Sequence, residues 1–340
     1  MREYLAVLGM LAILSGCTGL DIVDDEEESS SVDLTLMKQS VVLSSDERYL
    51  FVSVGSLGVE VVDISTPSVP KEVLRYKVDD VTYDLASRNG MLYLANGSEG
   101  VEVVDITTPS SPRRLAYIST GDDNATSVDL SIEGVTVAIG TAQGALLYTD
   151  KGANIYGYLG SYDSNGTIRD IRFDPNSLKL YLANFSYGLE AVDITTPSDM
   201  QLIDGISMEG SACDIEVSQG IVYLSSLTSA LKEIDFDENE ELEVKTVYDP
   251  HDGGQTWDMT PGVNFRYLYL AKAERGLEIV DNSDPRTPHH ISYYDTNGTA
   301  RGVAVNSAET LAFIADGKEG LKVIDIADKN HPRRIGYLKF

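Results

Sequence analysis

Apolar residues fall in short runs along this chain, each bounded by glycine, asparagine, aspartate or proline. One run sets the pattern: Gly100-Val101-Glu102-Val103-Val104-Asp105-Ile106, then Thr107-Thr108-Pro109-Ser110-Ser111-Pro112. Further copies open at Gly58, Gly188, Gly276 and Gly320, and worn ones stand at Gly144-Ala145-Leu146-Leu147-Tyr148 and Leu231-Lys232-Glu233-Ile234-Asp235. The glycines at 58, 100, 144 and 188 are 42, 44 and 44 residues apart; Asp193, Asp235, Asp281 and Asp325 are 42, 46 and 44 apart. A period in the low forties identifies a repeat array. Within each unit the runs are strand-length. In the second unit they cover Val81–Ala86, Met91–Ala95, Val101–Ile106 and Arg114–Ile118, with Asn89-Gly90 as a hairpin turn and the prolines marking the boundary before the last. No amphipathic helix appears, which excludes helical solenoids of similar period. Seven such units predict an all-β chain: a seven-bladed β-propeller of four-stranded antiparallel blades over 34–340.

The motifs Gly-Val-Glu-Val-Val-Asp, Gly-Leu-Glu-Ile-Val-Asp and Gly-Leu-Lys-Val-Ile-Asp, with the second-strand runs Leu92-Tyr93-Leu94-Ala95 and Ala312-Phe313-Ile314-Ala315-Asp316-Gly317, resemble the LVIVD repeat of secreted and surface proteins of bacteria and archaea. The resemblance runs from Leu34 to the C-terminus, implies a β-propeller and implies little about activity. Units three and five depart from it. Tyr148-Thr149-Asp150-Lys151 lacks the Thr-Pro loop, and Asp237-Glu238-Asn239-Glu240-Glu241 replaces it with acid.

The N-terminus reads differently. Tyr4–Leu14 is apolar but too short to span a bilayer, and it ends in Leu14-Ser15-Gly16-Cys17. This resembles the lipobox of bacterial lipoproteins, which implies a signal peptide over 1–16 and lipidation of Cys17. Residues 17–33 hold Asp24-Asp25-Glu26-Glu27-Glu28 and three serines, a composition that stays solvated and serves as a tether. Val32–Met37 is a candidate strand for latching the first blade to the last. The expected location is therefore extracytoplasmic, with the chain held to a membrane through its N-terminal lipid.

The net charge of −28 excludes nucleic acid, whose phosphates demand lysine and arginine. With Cys17 committed, Cys213 has no partner for a disulfide. No nucleophile elbow, phosphate loop, Cys-x-x-Cys or His-Glu-x-x-His motif is present. Four histidines, His251, His289, His290 and His331, supply no closed zinc ligand set.

One set of residues does recur. Asp84, Asp129, Asp170, Asp214 and Asp258 stand early in the first strands, with Val42 and Gly302 in the two remaining units. First strands line a propeller's channel, so these carboxylates are expected to gather at one mouth. They either accept backbone hydrogen bonds from the neighbouring blade or form a candidate Ca2+ site. The aspartates ending the third strands, such as Asp63, Asp105 and Asp193, precede Ser/Thr-Pro turns and are expected to cap them. The same mouth is expected to carry Asn96, Asn184, Lys272, Glu274, Arg275 and Asp316, and a candidate binding loop with His251, Asp252 and Trp257. The leading reading is a scaffold that binds an envelope or extracellular protein or glycan and requires no cofactor. The alternative is a cation-dependent hydrolase or lyase at the Asp-rich mouth.

Overall fold

The computed structural model describes residues 38–208, 211–218, 220–227, 231–249 and 255–340. The expected signal peptide (1–16), the tether (17–33), Cys17, the candidate latch Val32–Met37, His251 and Asp252 lie outside the described residues. Seven antiparallel sheets of four strands each occupy 41–76, 84–118, 125–163, 168–206, 212–248, 258–294 and 302–338, here blades 1 to 7. Every sheet is a meander in which strands adjacent in sequence are adjacent in space. Among the described residues the helical elements are three short 3-10 turns. No helix there is long and apolar enough to cross a membrane.

Both faces of each sheet are covered by a neighbour, so the middle strands read as almost continuous apolar runs rather than alternating ones. Met91–Ala95 is buried after its first residue, and Val101–Asp105 is buried until its last. The cores lie between blades. Tyr181, Ala183 and Leu189 of blade 4 pack on Ile215, Val222 and Leu224 of blade 5. Phe51, Val59 and Val61 of blade 1 pack on Leu85, Leu92 and Val104 of blade 2. The outer strands are the exposed edges, and in all seven blades the pairing of third and fourth strands shifts register at a bulge. Such bulges discourage further pairing at a sheet edge.

The second residue of the third strand is charged and buried in several blades, which the apolar pattern alone does not explain. Glu102 is fully buried and accepts from Arg114 Nε at 2.8 Å, Asn96 Nδ2 at 3.1 Å and the Tyr76 hydroxyl of blade 1. Glu278 of blade 6 accepts from the Tyr248 hydroxyl of blade 5 at 2.5 Å and contacts His290 Nδ1 at 3.1 Å. A buried carboxylate is tolerated only when such donors satisfy it, and here one donor in each case, a tyrosine hydroxyl, comes from the blade before.

The ring closes without exchanging a strand, since blades 1 and 7 each contain four strands consecutive in sequence. Leu50, Val52 and Val62 of blade 1 pack on Phe313, Leu321 and Val323 of blade 7. Gln39 N–H donates to Arg301 O at 3.2 Å, Gln39 Oε1 accepts from Gly317 N–H at 3.0 Å, and Glu47 Oε1 accepts from Ser307 N–H at 2.7 Å. The approach is close enough that a Cβ on Gly302 would lie 1.7 Å from the Gln39 carbonyl oxygen. Gly302→Ala should therefore push blades 1 and 7 apart. The expected cost is about 3 kcal/mol, at the upper end for overpacking, read as a Tm several degrees lower. Gly205→Ala, whose Cβ would meet Leu189 O at 3.3 Å, should change stability by less than about 1 kcal/mol.

Candidate functional site

The first strands line the axis, and their carboxylates are spent on the neighbouring blade. Asp84 Oδ2 accepts from Val128 N–H at 3.1 Å, and Asp129 Oδ2 from Phe173 N–H at 2.8 Å. Asp170 Oδ2 accepts from Ile215 N–H at 2.8 Å, Asp214 Oδ2 from Met259 N–H at 2.9 Å, and Asp258 Oδ2 from Val303 N–H at 2.7 Å. Each aspartate of one blade thus holds a backbone amide of the next. At the two interfaces without an aspartate, Ser40 Oγ donates to Leu85 O at 3.3 Å and Gln39 N–H donates to Arg301 O.

Strand register corrects the expected ring at two positions. Asp84 pairs with Ala95, which pairs with Val101 just after Gly100. In blade 3 the residue after Gly144 is Ala145; it pairs with Gly140, which pairs with Ser127. Asp129 stands opposite Ala138, two residues further along. In blade 1, Val41 pairs with Val52 and Ser53 with Val59, which places Ser40, not Val42, level with Asp84. The carboxylates Asp84, Asp170, Asp214 and Asp258 form the level nearest the mouth. Asp129, Arg172 and Glu216 form the level below. Counting residues misses this because the connections into first strands differ in length, and the first strands carry bulges, as at Ile168/Asp170 and Ala212/Ile215.

Two cations complete the site, and neither was evident from the repeat pattern. Lys38, in the segment preceding the first strand, places Nζ against Asp214 Oδ1 and 3.0 Å from Asp258 Oδ1. Arg172 Nη1 lies 2.7 Å from Asp170 Oδ1, and its Nη2 lies 3.9 Å from Glu216. Burial favours the neutral amine of Lys38, but Asp170, Asp214, Asp258 and Asp84 outweigh it and hold the ammonium well above its ordinary range. Burial likewise raises the Asp170 carboxyl, yet Arg172 and Lys38 overcome it and leave the group below its usual value. Asp84 is pushed up by burial, against Lys38. Burial carries Asp129 up to about 6 and Glu216 up to about 7, in both cases against Arg172.

The carboxylates do not fit a calcium site. Asp170, Asp214 and Asp258 each give one oxygen to an amide and the other to Arg172 or Lys38, so the convergent free oxygens that Ca2+ requires are missing. Among the described residues no three acidic, histidine or cysteine side chains converge as metal ligands. His290 and His331 are engaged separately, with Glu278 and Asp328.

Trp257 is only 4% exposed; the Arg301 guanidinium covers its ring at 4.0 Å, and Arg169 covers Phe185 at 4.7 Å. The tryptophan is a packed mouth residue rather than a protruding anchor. The void bounded by Lys38, Tyr83, Thr126, Arg169, Cys213 and Trp257 measures about 20 Å³, room for about one water. Asn96, Asn184, Lys272 and Asp316 are buried, and Glu274 and Arg275 are exposed. On the opposite face, three open clefts of about 400, 540 and 430 Å³ lie between the first-to-second-strand loops of adjacent blades. The third-strand aspartates cap their turns as expected: Asp63, Asp105 and Asp193 accept from the N–H groups of Ser65, Thr107 and Thr195 at 2.8–2.9 Å.

Two outcomes follow from the channel. Adding calcium should leave Tm unchanged. Asp129 and Glu216 titrate higher in the folded state than unfolded, so their contribution is full below the unfolded values and is lost as pH rises through about 6 and about 7. Tm should therefore fall between pH 5 and pH 8, and Asp129→Asn with Glu216→Gln should flatten that slope, as read by thermal melts across the range.

The LVIVD repeat model matches residues 38–78, 82–120, 253–296 and 297–338, so the chain carries four LVIVD repeats, in blades 1, 2, 6 and 7. Blades 3, 4 and 5 lie outside the match. No curated protein matches the sequence. Among solved structures, hydrazine synthase of Kuenenia stuttgartiensis is similar over 90% of this chain and 99% of that one, with TM-score 0.68 and 14% identity. Sqt1 of Saccharomyces cerevisiae is similar over 89% and 86%, with TM-score 0.66 and 11% identity. At such identities the likeness concerns the fold alone.

Proposed function

From four LVIVD repeats in a seven-bladed propeller, we propose a lipid-anchored, extracytoplasmic interaction scaffold for an envelope or extracellular protein or glycan. The observation that carries the scaffold reading is the filled axis. The chain's own Lys38 and Arg172 pair with Asp214, Asp258 and Asp170, and the void beside Lys38 measures about 20 Å³. A substrate pocket needs a few hundred Å³ and convergent unspent polar groups. The hydrolase or lyase alternative gains no support from these residues. A rigid ring that presents loops and open inter-blade clefts suits binding.

The anchoring half of the proposal rests on the sequence Leu14-Ser15-Gly16-Cys17 and the acidic run that follows it. The test is fractionation of the full-length protein together with affinity capture by the folded domain from native membranes. The wild type should sediment with membranes and Cys17→Ala should be released or left unprocessed, while both forms capture the same saturable partner. Equal membrane partitioning and processing of Cys17→Ala would remove the lipid anchor from the account. Failure of either form to retain any partner would remove the scaffold.

A further inference from the structure

The three clefts on the face away from the carboxylate mouth occupy corresponding places, between blades 1 and 2, 3 and 4, and 5 and 6. Each is lined by the residue that follows the last aspartate of a third strand: Ile106, Ile194 and Asn282 respectively. Ile64 and Ile326 hold that position in blades 1 and 7 and are buried too. Asn282, only 3% exposed, therefore stands where four blades bury an isoleucine. A second polar residue enters the same interface. Glu233 is buried directly opposite Tyr223 in register. The other blades bury Val61, Val103, Leu147, Ala191, Ile279 and Val323 there.

Neither polar group is fully satisfied. Asn282 Nδ2 donates to the Tyr223 hydroxyl at 3.0 Å and to Phe265 O at 3.1 Å. The second bond fixes the orientation of the amide and leaves Oδ1 buried without a partner. Glu233 Oε1 also lacks one. A buried acceptor left unpaired destabilises a fold, and isoleucine and valine would remove both acceptors. Asn264 and Phe265 beside them hold left-handed backbone, with φ of 55° and 54°. Non-glycine residues are rarely found there, and such strain clusters at binding sites. The Phe265 ring stacks on Tyr223 with centroids 5.4 Å apart.

The cleft measures about 430 Å³, within the range of small-molecule sites. Ile221, Phe265 and Pro285 give it apolar walls, and Arg266 is the only charged residue lining it among the described residues. A ligand suited to it carries neutral donors on one side and C–H surface on the other. We propose that the cleft between blades 5 and 6 is a saccharide-binding site, in which a sugar hydroxyl donates to Asn282 Oδ1 and the C–H face of the ring lies against Phe265. The assignment rests on the scaffold reading and narrows its ligand at this cleft to a glycan. An extended peptide fits less well, because much of the lining lies in the connections at 218–221, 264–266 and 282–285, where no strand edge is free to pair.

The test uses the full-length protein on an array of gluco-, galacto- and manno-oligosaccharides, with a peptide array in parallel. The wild type should bind at least one oligosaccharide saturably, and that sugar should raise its Tm. Tyr223→Phe, Glu233→Val and Asn282→Ile together recreate pairs the chain already uses, since Phe51 packs with Ile106 and Phe313 with Ile64. The triple variant should melt no lower than the wild type yet bind the sugar at least tenfold more weakly, a trade of function for stability. If it does not fold, Phe265→Ala, at a half-buried wall residue, should give the same tenfold loss. No binding to any of these oligosaccharides, undiminished binding by the variants, or cleft-dependent binding of peptides alone would overturn the proposal. A protein partner captured from membranes with no oligosaccharide bound would overturn it and leave the scaffold standing.

Discussion

The structure depends on a hydrogen bond between a carboxylate in the first strand of one blade and a backbone amide in the first strand of the next. First strands converge on the axis, where blades come closest and where an unpaired amide or carboxylate cannot reach bulk water. An unsatisfied buried polar group costs about 1–3 kcal/mol, and more when charged. The aspartates remove that cost in pairs, satisfying an amide of the neighbour and half of their own acceptor capacity. The remaining oxygens create the second requirement. Held near one another, carboxylates repel by about 4 kcal/mol per pair at 4 Å and an effective dielectric of 20. Lys38 and Arg172 answer it at Asp214, Asp258 and Asp170, so the ion pairs of the channel follow from the way the blades are joined.

The seven blades do not share this work equally. The four that match the LVIVD repeat, blades 6, 7, 1 and 2, form one continuous arc, because blade 7 abuts blade 1. Blades 3, 4 and 5 form the other, and they supply Asp129, Asp170, Arg172, Asp214 and Glu216. The matching arc contributes Asp84 and Asp258 and, at the remaining positions of the level nearest the mouth, the uncharged Ser40 and Gly302. Divergence from the repeat and the density of channel charge therefore coincide. Lys38, at the start of the matching arc, reaches across to Asp214 in the divergent one. The ring is held by inter-blade apolar packing throughout and by charge chiefly on one side.

Much of the fold was legible because a propeller repeats its instructions. Spacing of Gly58, Gly100, Gly144 and Gly188 gave the blade count, and the Asp-Ser/Thr pairs gave the turns. The aspartates were visible as a set, but Asp129 and Val42 were placed one level off. Register there is set by bulges and by unequal loops, which leave no mark in a count of residues. Trp257 stands in a polar loop that suits binding or packing equally; Arg301, whose guanidinium covers its ring, is 44 residues away in the next blade. Lys38 was invisible for a different reason. It stands at the very start of the first repeat, ahead of the first strand, and nothing local marks it as a counter-ion for Asp214 and Asp258, which lie 176 and 220 positions away. The buried glutamates of the third strands were in plain view inside the motif, yet one donor to each, Tyr76 or Tyr248, belongs to the preceding blade.

Native-state hydrogen exchange resolved by residue tests the central claim most directly. Asp84, Asp170, Asp214 and Asp258 would be changed singly to alanine, under conditions where each variant stays folded. If the carboxylates clamp the ring, each change should lower protection chiefly at its own partner amide in the next blade: Val128, Ile215, Met259 or Val303 respectively. Unchanged protection at those four amides, or a uniform loss across all blades, would show that the ring is held by apolar packing alone and contradict the account.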